Sequence, residues 1–495
     1  MTFANNLPFF SIMISMIAGI VSLLLKGKNA EKVCLASLAI ITVLSAVLLM
    51  YLLPTGGSFV YMMGHYPAPW GNELRAGLFE AIMALTFALV MLLSLLAARK
   101  SVFREIPEAK QGLYYLMINL LMASLLALIY TNDIFTAYVF VEINTIAACS
   151  IVVAKDTGET VTATIRYLIM SLLGSGFFLI AVTLLYDLTG HLLMPQMHTA
   201  IQQLAIHGTY SMPLSVIIIL IAVGLAIKSA LYPFHGWLPA AHGSANSASS
   251  AILSGVVLKG YIILLIKIFY RVIGLDVVHH LGVTNILFVF GLAGMVMGSV
   301  NAMRQKNIKR MIAYSSVAQV GYIYMGIGLS TTTGMIAASF HIIAHAVTKP
   351  MLFCAAEGLM HVSGHSKQIA DLKGSAYRNP LAGIAFAIGT LSMIGIPFFS
   401  GFVSKVYFAS ASLESPEKMI PTLLILALST ILNALYYFPV LLVIYSFEAG
   451  RDDLAKIPIS INYRLAVLCY MAVNIYLGIN YTPIIRILER GLAMF

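Results

Sequence analysis

Four lysines stand inside strongly apolar stretches: Lys228, Lys259, Lys349 and Lys405. One carboxylate does the same, Glu142 in FTAYVFVEINTIAAC. His341, His345 and Lys349 follow one another at i, i+4 and i+8 in SFHIIAHAVTKPMLF, which puts all three on one stripe of a helix. Placing a charged side chain at a bilayer centre costs about 2.5–3.5 kcal/mol, so a series of such groups points to function. HIIAH lacks the glutamate of H-E-x-x-H, which argues against a zinc peptidase. Imidazole titrates at about pH 6.5, and amines and imidazoles in register suit a hydrated proton relay. Pro350, next to Lys349, predicts a local kink that admits water.

Four lysines and one central carboxylate cannot all pair. Burial weakens an amine's hold on its proton and a nearby carboxylate restores it, so the occupancy of each group depends on its neighbours. Glu142 is expected to bind a proton or to tune Lys228, the alternative being an ion pair made only for assembly. His235 and His242 are possible accessories in the crossing after Lys228. Glu80, near a helix end, and Glu357, eight residues beyond Lys349, are equally open to a structural role.

About 20 apolar residues cross a bilayer. The pattern predicts an all-α polytopic membrane protein with about fourteen transmembrane helices, near 4–25, 33–53, 74–98, 112–130, 133–154, 162–186, 212–232, 248–272, 281–302, 310–329, 333–360, 381–410, 421–447 and 463–485. Span 7 breaks at Pro233 after Lys228. Span 12 breaks around GIPFFSG (Gly395–Gly401), just before Lys405. The two cross in opposite directions, and paired interrupted helices in inverted repeats mark transport sites. Residues 1–110 then hold helices 1–3, 111–272 a first five-helix repeat, 273–447 its inverted partner, and 448–495 the last helix.

Nineteen of the 29 Lys and Arg fall in alternate loops, after spans 1, 3, 5, 9, 11 and 13. Arg75, Lys267, Arg271, Lys418, Arg486 and Arg490 fall on the other side. By the positive-inside rule the basic loops are cytoplasmic and both termini face outward. The loop from Asp187 to Ser211 has no Lys or Arg, and its His191, His198 and His207 read as solvated. YMMGHYPAPWGNELRAG (Tyr61–Gly77) reads as a structured interfacial cap. The small residues of GLAGMVMG (Gly291–Gly298) read as close helix packing.

The chain has 495 residues, 60% hydrophobic and only 10% charged. Soluble domains carry roughly 25% charged residues. The net charge of +10 therefore serves topology, with no nucleic-acid role expected. Lys26 is the first basic residue and follows the first apolar run, so no cleavable signal peptide is expected. The four cysteines stand singly, without a C-x-x-C pair, and no phosphate-binding G-x-x-x-x-G-K-S/T loop is present. No cofactor, metal or autonomous active site is expected. Any redox or nucleotide chemistry that drives the protein would reside in another subunit.

Five strings resemble the antiporter-like subunits shared by respiratory complex I, Mrp-type cation/proton antiporters and membrane-bound NiFe hydrogenases. They are KSALYPFHGWLPAAH (Lys228–His242), SAILSGVVLKGYI (Ser250–Ile262), NIKRMIAYSSVAQVGY (Asn307–Tyr322), FHIIAHAVTKPMLF (Phe340–Phe353) and GIPFFSGFVSKVYF (Gly395–Phe408). The resemblance implies fourteen helices with two inverted five-helix repeats. It makes Glu142 and Lys228 an interacting pair, Lys259 a connecting lysine, His341, His345 and Lys349 a central relay, and Lys405 the terminal lysine. It also implies partner membrane subunits and a prokaryotic cell membrane. Many relatives have Pro-Thr or Pro-Ser where this chain reads SANSASSA (Ser244–Ala251), and Glu80 replaces an Asp-containing string. The chain ends soon after span 14 without a long lateral helix, which resembles the D-type Mrp protein or its hydrogenase counterpart.

The implied function is proton translocation within a larger ion-pumping complex. A stand-alone solute carrier would purify alone and bind its substrate. A structural spacer would leave costly charges idle. Sodium prefers hard oxygen ligands, so a line of Lys and His favours H⁺ here and assigns any Na⁺ to another path.

Overall fold

The computed structural model describes residues 3–67, 70–207, 210–446 and 459–495. An N-terminal group comprises α1 (Leu7–Leu24), α2 (Gly27–Thr55) and α3 (Leu78–Glu105). Between α2 and α3 the expected cap is a small antiparallel hairpin, β1 (Phe59–Met62) with β2 (Glu73–Ala76), Phe59 opposite Ala76. The described chain is otherwise helical. Next come α4 (Glu108–Tyr130), α5 (Ile134–Val153), α6 (Gly158–Thr189), α7 (Met194–His207) and α8 (Ser211–Lys228). The crossing after Lys228 continues as α9 (Leu238–Ser244), α10 (Ser247–Ile252) and α11 (Leu258–Ile268). The following stretch contains α12 (Leu275–His280), α13 (Val283–Met303), α14 (Ile308–Gly328), α15 (Thr332–His361), α16 (Ser375–Arg378), α17 (Pro380–Ile394), α18 (Ser400–Leu413) and α19 (Pro416–Ile444). The last helices are α20 (Ile461–Ile479) and α21 (Thr482–Leu492).

Eleven described helices are long and apolar enough to cross a membrane. The α20–α21 pair, bent by 77°, makes a twelfth. A count of fourteen also needs α14, which is long enough at 21 residues but not apolar enough, and the broken α17–α18, whose halves have 15 and 14 residues. The protein is an all-α polytopic membrane protein. Its outer helices turn apolar rows outward, such as Ile165, Ile169 and Leu172 on α6 and Leu424, Ile431 and Leu435 on α19. The segment Ser247–Ile273 and helix α15 are instead surrounded by protein along their apolar windows.

Both expected breaks are present. Helix α8 stops at Lys228, and Pro233, which has no N–H to give, leads into a short 3-10 turn, Phe234–Trp237. The Trp237 indole N–H donates to the Ile227 carbonyl at 3.3 Å, beside the Ala230 N–H at 3.2 Å, and its ring stacks on Tyr167 at 4.1 Å. Helix α17 stops at Gly395, whose φ of +89° ends helices without a side-chain clash. In SANSASSA, Asn246 caps α10 by accepting from the Ser249 N–H at 2.8 Å.

Three local expectations need correction. Helix α15 runs unbroken through Pro350. The irregularity lies opposite it, in a π-helical turn (Leu253–Val257) between α10 and α11, where a Cβ on Gly255 would lie 2.5 Å from the Pro350 ring. The 187–211 loop contains α7, whose Met194, Met197 and Ile201 are buried and whose Gln202 Nε2 donates to the Ile273 carbonyl at 3.0 Å. His191 is exposed there, whereas His198 is partly buried. The side chain of His207 and the basic residues Arg451 and Lys456 lie outside the described residues.

Candidate functional site

The first cluster sits where α8 ends. Lys228 has no exposed surface and donates from Nζ to Thr145 Oγ1 of α5 at 2.6 Å. Glu142, one turn earlier on α5, places Oε1 3.8 Å from the same amine. That oxygen is buried and has no hydrogen-bond partner among the described residues, although the Glu142 side chain is 23% exposed on the outer face of α5. The carboxylate thus touches both the amine and the surface of the subunit. Tyr261 of α11 lies under the ammonium at 5.4 Å and donates to Asn144 Oδ1 at 2.9 Å; Asn144 donates on to Ser124 at 3.0 Å.

Lys259, fully buried on α11, turns back onto the Ser254 carbonyl in the π-helical turn. The wide i→i+5 turn leaves backbone oxygens underused, a feature common at functional sites. Ser254 Oγ also lies 2.9 Å from Ser316 Oγ of α14, which carries the line toward the second half.

The three groups on α15 are buried as one stripe. Lys349 Nζ donates to Ser315 Oγ at 2.6 Å, to the Ile312 carbonyl at 3.1 Å and to Tyr437 Oη at 3.3 Å. The His341 and His345 rings stack with centroids 5.9 Å apart. Both His345 nitrogens are buried without partners among the described residues. His341 Nδ1 is 2.8 Å from Ser404 Oγ, and Ser404 donates to the Gly401 carbonyl at 3.0 Å. With the hydroxyl proton on that carbonyl, Nδ1 donates and the unpartnered Nε2 keeps a free lone pair.

Lys405 follows Ser404 on α18. Its Nζ donates to the Ile394 carbonyl at 2.6 Å and to Thr430 Oγ1 at 2.8 Å, over the Tyr322 ring at 5.5 Å. It therefore grips the free C-terminal end of α17. The amines meet hydroxyls and carbonyls, and Lys228 alone among the four has a carboxylate within salt-bridge reach among the described residues. Such ligands accept from an amine in either of its charge states.

The accessory residues separate. His242 is buried on α9, stacked on Phe353 of α15 at 5.0 Å, with both ring nitrogens unpartnered among the described residues. His235 lies in the 3-10 turn between Tyr232 and Tyr314. Glu357 accepts from Ser247 Oγ of α10 at 2.6 Å and from Arg104 at 2.9 Å. It opens on a cleft lined by Lys100, Arg104, His361 and Tyr463. Glu80 belongs to the first turn of α3, where it accepts from the Gly77 N–H at 3.0 Å and pairs with Arg75 at 2.7 Å. That is an N-terminal cap.

Two buried lysines gave no functional signal in the sequence. Lys267 is wholly buried and donates to the Ile129 and Thr131 carbonyls at 2.6 and 2.7 Å, closing the C-terminal end of α4. It stands eight residues past Lys259 in the same apolar run, which is the pattern that could have marked it. Lys309, at the first turn of α14, donates to the Ala245 carbonyl just past α9. Lys367, in the loop after α15, donates to the Gly243 carbonyl at 2.8 Å, and burial beside Lys155 lowers its proton affinity. Cations at a helix C-terminus oppose its partial negative charge, so these lysines hold helix ends. Among the described residues, no three His, Cys, Asp or Glu side chains come together as a metal site.

Known proteins resemble this chain in sequence and in fold. The family described as "NADH:quinone oxidoreductase/Mrp antiporter, TM" matches residues 131–432. The N-type NADH-quinone oxidoreductase subunit of Desulforudis audaxviator is 33% identical over 397 residues, 80% of this chain and 77% of its own length. The D-type Na(+)/H(+) antiporter subunit of Alkalihalophilus pseudofirmus is 26% identical over 490 residues, 97% of this chain and 95% of its own. A chain of the archaeal membrane-bound sulfane sulfur reductase superposes with a TM-score of 0.89 at 26% identity, covering 99% of this chain and 97% of that one. A chain of the Mrp complex from Dietzia sp. gives a TM-score of 0.85 at 22% identity, covering 100% and 97%. The chain belongs to the family of transmembrane subunits that serves both NADH:quinone oxidoreductases and Mrp antiporters.

Proposed function

We propose that this chain is the proton-translocating, antiporter-like subunit of a multisubunit ion-pumping complex in a prokaryotic cell membrane. Glu142 biases Lys228, and protons pass by Lys259 and the His341, His345 and Lys349 stripe to Lys405. His242 and Glu357 serve as accessories from the basic side, while Glu80 caps α3. Other membrane subunits supply the drive, from redox chemistry or an ion gradient, and Na⁺ takes another path. The chain crosses the bilayer fourteen times with both termini outside, its halves 111–272 and 273–447 forming inverted repeats after helices 1–3 in 1–110, with the last helix in 448–495.

The observation that carries this reading is the set of four lysines held by hydroxyls and carbonyls inside the helix bundle, three fully buried and Lys405 half-buried, with the one reachable carboxylate among the described residues beside Lys228. Inserting such groups costs about 2.5–3.5 kcal/mol each, which a passive spacer would have no reason to retain. The partial exposure of Glu142 supports a partner: a neighbouring subunit's charge there would shift the Lys228 proton without entering the core.

The test replaces Lys228 or Lys405 by Ala in the assembled complex and measures proton pumping into sealed vesicles. Loss in either variant, with the complex still assembled, supports the relay. Full pumping in both rejects it.

A further inference from the structure

The break between α17 and α18 is clamped from a helix that no part of the relay occupies. Asn474 is fully buried on α20. Its Nδ2 lies 2.7 Å from Thr348 Oγ1 on α15, 3.2 Å from Ser392 Oγ near the end of α17, and 3.0 Å from Ser400 Oγ at the start of α18. Thr348 already gives its hydroxyl proton to the Ala344 carbonyl at 2.7 Å, so it can only accept from Asn474, which fixes the amide's orientation. Ser392 accepts the Gly401 N–H at 3.2 Å and lies 3.1 Å from Ser400. One carboxamide therefore reaches both sides of the break and the relay helix.

Backbone packing brings α20 that close. One turn past Asn474, a Cβ on Gly478 would lie 2.2 Å from the Phe398 carbonyl oxygen. A Cβ on Gly401 would lie 1.8 Å from the Ser392 carbonyl oxygen. Only glycine permits these approaches. The clamped segment supports two ends of the relay: the Ile394 carbonyl receives Lys405, and the Gly401 carbonyl receives Ser404, the partner of His341.

We propose that Asn474 is a positioning residue that holds the α17–α18 hinge against Thr348 and so keeps Lys405 and Ser404 in register with His341. Asn474 Oδ1 is buried without a partner among the described residues, which marks a polar position for a water molecule inside the clamp. The inference rests on the proton-relay reading and adds α20 to it.

Asn474→Leu keeps the volume and removes the carboxamide. In vesicles bearing the assembled complex, proton transport is expected to fall roughly ten-fold, the size expected for losing one or two buried hydrogen bonds at a register-setting point. The midpoint of its pH profile should move, and amide hydrogen exchange over residues 392–401 should quicken. Thr348→Val should lose less, and the double variant no more than Asn474→Leu alone, because both cut the same link. Wild-type transport, pH profile and hinge exchange in Asn474→Leu overturn the proposal, provided Lys405→Ala in the same vesicles abolishes transport. If Lys405→Ala transports normally, the relay reading itself falls and hinge exchange alone decides the clamp. Should Asn474→Leu not assemble, Thr348→Val and Ser400→Ala replace it, and strictly additive losses or none refute the clamp.

Discussion

At the scale of single residues, the lysines divide by what their amines touch. Lys228, Lys349 and Lys405 each meet at least one hydroxyl, Lys259 meets the Ser254 carbonyl of the π-helical turn, and Lys267 meets backbone carbonyls at the end of α4. A hydroxyl can rotate to give or take a proton; a carbonyl can only accept. Thr145→Val leaves Lys228 with Glu142 at 3.8 Å as its remaining polar partner. That variant should slow proton transport several-fold while the complex still assembles, as vesicle assays would read. Ser315→Ala should be worse than Tyr437→Phe, because Ser315 serves both Lys349 and Tyr436 at 2.6 and 2.8 Å. Each lost hydrogen bond to an amine of this kind is worth about 1.5–3 kcal/mol. Equal rates in the two variants would show that Lys349 does not work through Ser315.

At the scale of helices, lysines close several of the helix ends. Lys267 closes α4, Lys309 and Lys367 hold the end of α9, and Lys405 holds the end of α17. Lys267→Met should lower the thermal stability of the complex by about 2–4 kcal/mol, since it leaves carbonyls buried and unpaired, yet leave the transport rate per assembled complex unchanged. A transport defect at normal stability would instead place Lys267 in the relay. Gly401→Ala should abolish assembly or transport, because backbone lies 1.8 Å from the added carbon and cannot yield as a side chain would. These contacts also explain what stayed hidden before the fold was known. The proline and glycine breaks were legible because they alter the chain's own hydrogen bonding. In the sequence Asn474 is one polar residue in an apolar helix, and its partners come from three separate helices.

At the scale of the whole molecule, α15 and the Ser247–Ile273 segment form an interior that lipid does not reach, ringed by helices with apolar outer rows. Helix α6, with 32 residues, extends about 48 Å, long enough to clear the ~30 Å hydrocarbon layer at both ends. Its ends give a direct test of orientation. His191→Cys, exposed just past one end, should react with a membrane-impermeant maleimide in intact cells; Glu159→Cys at the other should react only after the membrane is opened. Three native cysteines are buried and Cys469 lies mid-helix in α20, so background labelling should be low. The reverse pattern would invert the topology.

Composition and periodicity alone determined that this chain lives in a membrane, that its helices break after Lys228 and before Lys405, and that Lys228, Lys259, His341, His345 and Lys349 are carried into the interior. Those properties are written locally, in apolar run length, in residues that cannot sustain a helix and in charges that lipid would reject. Tertiary structure decided which groups belong together: that Lys349 meets Ser315 and Tyr437, that Lys267 is a helix stop and that Asn474 spans the hinge. Each depends on helices distant in sequence arriving side by side, and hydropathy is the same for a buried serine that ligates an amine and one that only packs.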